Sequence, residues 1–366
     1  MATHLAALAV AKGARFELQT RPTPKPGPGE LLIEVKSVAL NPADGIMRAS
    51  GLFIPDYPTV IGFDMSGLVL EVGDNVPVSP DEDLFFQPGV TRVAAYAASF
   101  WRSYKSEYGF FQEKCIIPWQ HAMPLPDDIS WNQAATLPVS AEVALSAWDA
   151  MGIPRLGEAA QKSIKGKEEA LLVWGASSSV GTMGVQSARL LREDPDSAFA
   201  AVYATASTAN HEYVCSLGAD RVFDYKDPKV LGAIVSAARE DGLVIRNCYL
   251  AMGKLAPCQS VLKAFLEDGG GNRKAKIASA PLIPSDAETV DGLEAMFVAP
   301  SDDENERLAQ LRYWLGTWLR ENLAEGNVRP SPEPKVVGKG LGAINDGLDE
   351  LMRGVSCTKL VVEVAE

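Results

Sequence analysis

The apolar run Leu171–Trp174, the small-residue turn Gly175–Gly181 and the helix-patterned Thr182–Leu191 constrain this chain more than any other stretch. An apolar run of that kind is a buried strand, and apolar residues recurring at helical spacing after it form a helix. A strand passing through a tight turn into a helix aims free backbone N–H groups and the positive end of the helix dipole at whatever lies above the turn. That arrangement suits a pyrophosphate. The motif is incomplete as a dinucleotide fingerprint, because Ser178 and Ser179 fill its centre and only Gly175, Gly181 and Gly184 remain. An ordinary strand–helix junction that binds nothing has the same local pattern.

The residues that follow favour a nucleotide. Strand-like segments at Ala198–Thr205, Arg221–Tyr225, Leu243–Ile245 and Ala275–Ala278 alternate with helical patterns, which implies βαβ units and a parallel sheet. An NAD site carries an acidic residue at the end of the second strand. Here that loop reads Ala206-Ser207-Thr208-Ala209-Asn210-His211, with no carboxylate before Glu212. Hydroxyls and amides donate to a 2′-phosphate where a carboxylate repels it, so the expected cofactor is NADPH. The alternative is a polar loop with no ligand role.

At 366 residues the chain has room for two domains, and no apolar run approaches the ~20 residues that span a bilayer. The alanine-rich start has no basic residue before its apolar part and is not read as a signal peptide. A net charge of −13 excludes nucleic acid and anionic membranes as expected partners. Five widely spaced cysteines without a CxxC suggest free thiols in a reducing cytoplasm. Three dispersed histidines show no metal-ligand spacing, so no metal is expected.

The first 130 residues have a different texture. Residues 5–10, 15–20, 30–40, 67–73, 92–96 and 113–118 read as short strands cut by glycine and proline turns, which implies a β-rich or barrel-like domain. Helical texture begins near Trp131. Residues 156–169 read as a lysine-rich surface loop, and 302–306 as an acidic helix start or solvated face. Gly340–Met352 reads as a helix, and Lys359–Val364 as a strand returning to the first domain's sheet.

Three stretches then carry a family resemblance: Val38–Asp44, Gly62–Gly73 and the turn Gly175–Gly181. Their order resembles the medium-chain dehydrogenase/reductase superfamily over nearly the whole chain. The nearest branch is the zinc-independent quinone-reductase-like group, especially the fungal trans-acting enoyl reductases that serve polyketide synthases. The resemblance implies an α/β fold with a GroES-like catalytic domain (1–130 and 335–366) and a Rossmann doubly wound parallel-sheet domain (131–334). Asn41 stands where the zinc alcohol dehydrogenases have a cysteine ligand, Phe63 where they have a histidine, and residues 77–114 contain no cysteine. Without a Lewis acid to polarise a ketone, the expected reaction is hydride transfer to an activated carbon–carbon double bond, which has its own electron sink.

Carried over residue by residue, the resemblance places Ser177, Ser178, Ser179 and Val180 at the pyrophosphate and Ser207, Asn210 and Tyr225 at the adenosine 2′-phosphate. It places Asn41, Pro42 and Asp44 in the loop under the nicotinamide, Val139, Ser140 and Val143 where the chain crosses between domains beside the cofactor, and Phe297 in a closing loop. Asn41, Asp44 and Ser140 are the expected catalytic positions. Tyr225 also reads as an aromatic packed on the sheet, and Asn41-Pro42 as a plain turn. No general acid is evident, since Ile46 replaces the tyrosine frequent in quinone reductases. Solvent, Tyr57, Tyr104 and Tyr108 remain as proton sources. The aromatics of 100–111 read either as core or as a substrate tunnel. The expected partner is an enoyl substrate, small or tethered to a carrier protein of a polyketide synthase, with the chain a monomer or homodimer. A stand-alone quinone or enal reductase, and an NADPH-binding regulatory protein without catalysis, are the alternatives.

Overall fold

The computed structural model describes residues 2–155, 167–266 and 274–364. Most of the expected lysine-rich loop and the glycines at 269–271 lie outside them. The chain forms two compact units, Met1–Glu142 with Ser301–Glu366, and Val143–Pro300.

The first unit opens with an antiparallel pair, β1 (Thr3–Leu8) and β2 (Glu17–Pro22). Strand β3 (Glu30–Ala39) is the spine of the larger sheet. Helix α1 (Pro42–Ser50) follows it, then β4 (Asp64–Val72), β5 (Arg92–Tyr96), β6 (Lys114–Pro118) and β7 (Ala122–Pro124). Helices α2 (Trp131–Ala134) and α3 (Pro138–Met151) end this part, and the division between units falls inside α3. Along β3 the alternate residues Leu31, Ile33 and Val35 enter one core with Met65, Val69, Phe110 and Phe111.

The second unit contains β8 (Glu169–Trp174), α4 (Ser179–Glu193), β9 (Phe199–Ala206), α5 (His211–Ser216), β10 (Arg221–Asp224), α6 (Val230–Glu240), β11 (Val244–Leu250), α7 (Leu255–Lys263), β12 (Ala275–Ser279) and β13 (Leu293–Phe297). Its sheet is entirely parallel, in the order β10-β9-β8-β11-β12-β13. That is the doubly wound order, with the strand order reversing between β8 and β11. Every residue of β8 is buried, as expected for a central strand covered on both faces. The sequence reading found five of the six strands; β13 is a half-exposed edge strand with little apolar signal.

The chain returns to the first unit through α8 (Glu304–Leu311), a π-helical turn Arg312–Leu319 and α9 (Arg320–Ala324). It ends with β14 (Pro334–Lys339), α10 (Ile344–Arg353) and β15 (Lys359–Glu363). β15 pairs antiparallel with β3, so the last strand does return to the first sheet. The expected boundaries at 130/131 and 334/335 are corrected to 142/143 and 300/301. Residues 131–142 stay with the first unit because α2 packs on β3 and β4, and Ser66 donates to the Trp131 carbonyl at 2.7 Å. Residues 301–334 do so because the guanidinium groups of Arg307 and Arg312 lie over the rings of Trp101 (4.7 Å) and Trp119 (5.5 Å). The acidic run is a helix start, with Asp303 capping α8 through the Glu306 N–H.

Candidate functional site

The β8–α4 turn is built by two glycines. Gly175 adopts φ +80°, and a Cβ there would stand 2.5 Å from the Met252 carbonyl oxygen; one on Gly181 would stand 2.3 Å from the Gly175 carbonyl oxygen. Ser178 caps α4, accepting the Gly181 N–H at 3.1 Å while donating to Gly175 O at 2.8 Å. Its hydroxyl therefore serves the turn itself. The N–H groups of Ser177, Ser179 and Val180 have no acceptor among the described residues, and the Ser179 hydroxyl is buried without a partner. Three idle amides and an orphaned hydroxyl at a helix N-terminus are the donors a dinucleotide pyrophosphate requires. The residues present fit a nicotinamide cofactor.

Ser207 and Asn210 are brought together just past β9, with Asn210 Nδ2 donating to Ser207 Oγ at 3.1 Å. Tyr225 follows β10 with 45% of its surface exposed, and the Lys226 ammonium lies 5.8 Å from its ring centre. The sequence reading missed a carboxylate here. β9 and β10 run parallel with Ala206 opposite Asp224, and Asp224 accepts the Thr208 hydroxyl at 2.5 Å and the Lys226 N–H at 2.9 Å. Those bonds hold its carboxyl below the usual range, so it is ionised. No local sequence signal reveals it, since sixteen residues separate the bonded pair. Phe297 ends β13, three strands from β8, and is 45% exposed. Val143 is half-buried in α3.

In the first unit Asn41 caps α1, with Pro42 as its exposed first residue. The Asn41 side chain turns inward. Lys359 Nζ donates to its Oδ1 at 2.5 Å and to Asp64 Oδ2 at 3.0 Å, and Asn41 Nδ2 donates to the same Asp64 oxygen at 3.1 Å. Asp64 Oδ1 accepts the Val139 N–H at 2.7 Å, and Asp44 Oδ2 accepts the Asn41 N–H at 2.8 Å. Burial pushes the Asp44 carboxyl up to about 7, opposed by the Asn41 N–H and the Lys359 charge and reinforced by Asp64. Among the described residues no three His, Cys, Asp or Glu side chains converge to hold a metal. An amide and a carboxylate that share a bonded ammonium are not a zinc donor set.

Lys359 and Asp64 are the residues that sequence reasoning missed. The hint was a lysine heading a strand whose middle, Leu360 to Val362, is apolar. Ser140 is corrected: it is fully buried, and its hydroxyl proton is shared between the Thr136 (3.0 Å) and Leu137 (2.8 Å) carbonyls. A hydroxyl bonded to its own helix backbone has no proton to give a substrate.

Of the three tyrosines considered as proton sources, Tyr108 donates to Glu30 at 2.7 Å, whereas the buried hydroxyls of Tyr57 and Tyr104 have no partner among the described residues. His4 bonds Gln112, His121 the Tyr96 carbonyl and His211 the Ala206 carbonyl. Burial pushes His121 down to about 3, keeping it neutral. Phe110 and Phe111 belong to the core, while Phe100 packs edge-on against Phe53, both more than 40% exposed. All five cysteines are free thiols, and no helix among the described residues is long and apolar enough to cross a membrane.

Residues 27–127 match the alcohol dehydrogenase GroES-like domain. The trans-enoyl reductase tndF of Aspergillus flavipes is 38% identical, with 98% of each chain covered. The trans-enoyl reductase tazE of Aspergillus terreus is 39% identical over 85% of this chain and 97% of its own. Among solved structures, the CurK enoyl reductase superposes with a TM-score of 0.71 at 17% identity over 99% of both chains, a likeness of fold.

Proposed function

The chain belongs to the medium-chain dehydrogenase/reductase superfamily, with fungal trans-enoyl reductases among its full-length relatives, and from that premise we propose an NADPH-dependent reduction of an enoyl thioester of polyketide type. The observation that carries this reading is the β8–α4 turn, with three amides free of acceptors and the orphaned Ser179 hydroxyl. It is an oxidoreductase whose fold takes a nicotinamide cofactor.

When bound, the reduced cofactor supplies a hydride. The chain's own residues bind and orient. Ser177, Ser179 and Val180 hold the pyrophosphate through their N–H groups, while Ser178 and the two glycines hold the turn open for it. Ser207, Asn210, Tyr225 and the neighbouring Lys226 ammonium recognise the 2′-phosphate. Asn41, Pro42, Asp44 and Val139 of the first unit are the residues assigned to the nicotinamide. The thioester carbonyl of the substrate accepts the developing charge, so orientation and charge stabilisation suffice. A substrate tethered to a synthase's carrier protein fits the name shared by the two relatives.

Steady-state oxidation of NADPH and NADH with enoyl thioesters, enals and quinones tests the reading. Turnover of thioesters with NADPH is expected. A strong NADH preference, turnover confined to quinones, or binding without turnover overturns it.

A further inference from the structure

The unit that ends with β15 buries two carboxylates and one ammonium in one place. Asp44 and Asp64 have no exposed surface, and Lys359 has 4%. Lys359, Asp64 and Asn41 form a ring in which every side is a hydrogen bond, of 3.0, 3.1 and 2.5 Å. Asp44 lies outside that ring. One of its oxygens holds the Asn41 N–H, and Oδ1 has no partner among the described residues. Two buried carboxylates with one cation cannot both be neutralised, and a buried carboxylate without a cation of its own retains a proton. The titratable groups facing Asp44 are Lys359 from β15, Asp64 from β4 and Tyr104 from the turn after β5. Arg48, on the same helix, is turned toward Asp349.

We propose that Lys359 is a positioning residue: its ammonium is committed to Asp64 and Asn41, which fixes the Asn41 amide and leaves Asp44 as the buried carboxyl without a cation of its own. The ring also fixes Val139 through Asp64 Oδ1, so one internal cation sets three residues assigned to the nicotinamide. That catalytic consequence rests on the reading above; the charge arrangement does not.

Infrared spectroscopy of the full chain without cofactor tests the charge arrangement, through the stretch of protonated carboxyl groups. In mildly acidic buffer, below the folded Asp44 value of about 7, the wild-type chain shows one such band, and Asp44→Asn abolishes it. Lys359→Met adds a second, because Asp64 then lacks its cation. The double variant Lys359→Met with Asp64→Leu replaces the pair by apolar groups, restores the melting temperature lost in Lys359→Met, and shows the Asp44 band alone. Should Lys359→Met not fold, the double variant still decides the identity of the protonated group. A wild-type spectrum without the band, a band that survives Asp44→Asn, or a Lys359→Met spectrum equal to wild type overturns the arrangement.

Turnover tests the positioning. The double variant is expected to keep KM within about threefold while kcat falls at least about tenfold. Wild-type kcat in that stable variant overturns the positioning role. Absence of thioester turnover in the wild type overturns the proposed function instead, and the infrared results stand apart from it.

Discussion

The two units hold their candidate functional residues by opposite means. In the Val143–Pro300 unit the chemistry belongs to the backbone: the idle amides of one turn between β8 and α4, shaped by Gly175 and Gly181. In the other unit it belongs to side chains from α1, β4 and β15, up to 318 positions apart in sequence. A backbone site tolerates much side-chain change but almost no added Cβ. A side-chain site has no local signature, yet fails when one charge is removed.

The strongest way to break that contrast is Asp64→Ala, which leaves the buried Lys359 ammonium hydrogen-bonded to the Asn41 amide alone. It is expected to cost about 3–5 kcal/mol in denaturant unfolding; a loss below about 1 kcal/mol would show that the cluster is not a tight charge pair. Next comes the pH dependence of Asp44. Its folded value of about 7 lies above the ordinary 3.8, so the folded chain binds the extra proton. Stability from this group is full below the ordinary value and is lost as pH rises through 7. The whole span amounts to on the order of 4 kcal/mol. Asp44→Asn should therefore gain on the wild type between pH 4.5 and 8; a difference independent of pH refutes the assignment.

In the backbone unit, Gly181→Ala forces a Cβ against the Gly175 carbonyl, a contact that cannot yield because the Cβ is fixed by its own backbone and the oxygen is main chain. Fluorescence titration should show a loss of roughly 100-fold in affinity for the reduced cofactor, about 2.7 kcal/mol. Ser179→Ala removes only the orphaned hydroxyl, so a three- to tenfold loss is expected, about 1 kcal/mol, with the unliganded melting temperature unchanged. A lowered melting temperature would mean that the hydroxyl serves the fold. The smallest effect sharpens the cofactor choice. Asp224→Asn removes a negative charge beside Ser207 and Asn210, and a rise of a few-fold in NADPH affinity with NADH unchanged is expected. A fall in NADH affinity would instead make Asp224 a ribose ligand and reverse the preference.

How much was legible follows the same division. The strand, turn and helix around Gly175 were readable because each feature is set within a few residues by burial, φ and capping. The pairing of Ser207 with Asn210 is local in the same way, since three positions separate them. Asp224 was missed because only the parallel register of β9 and β10 brings it to that loop. Ser140 was misjudged because its hydroxyl faces its own helix carbonyls, which residue identity does not reveal. The domain boundary moved because Trp101 and Trp119 sit under arginines of the segment 301–334, a pairing across about 200 residues.

By itself the sequence determined the alternation of β and α in the nucleotide unit, the β-rich texture of the first, and the missing cysteine and histidine ligands, because patterning and residue identity are local. Only the tertiary structure decided that Lys359 meets Asp64 and Asn41 and that Asp44 lies outside their ring. An ionised group is admitted to a protein interior only beside a partner, and that partner is supplied by strand order and register rather than by any neighbour in the chain.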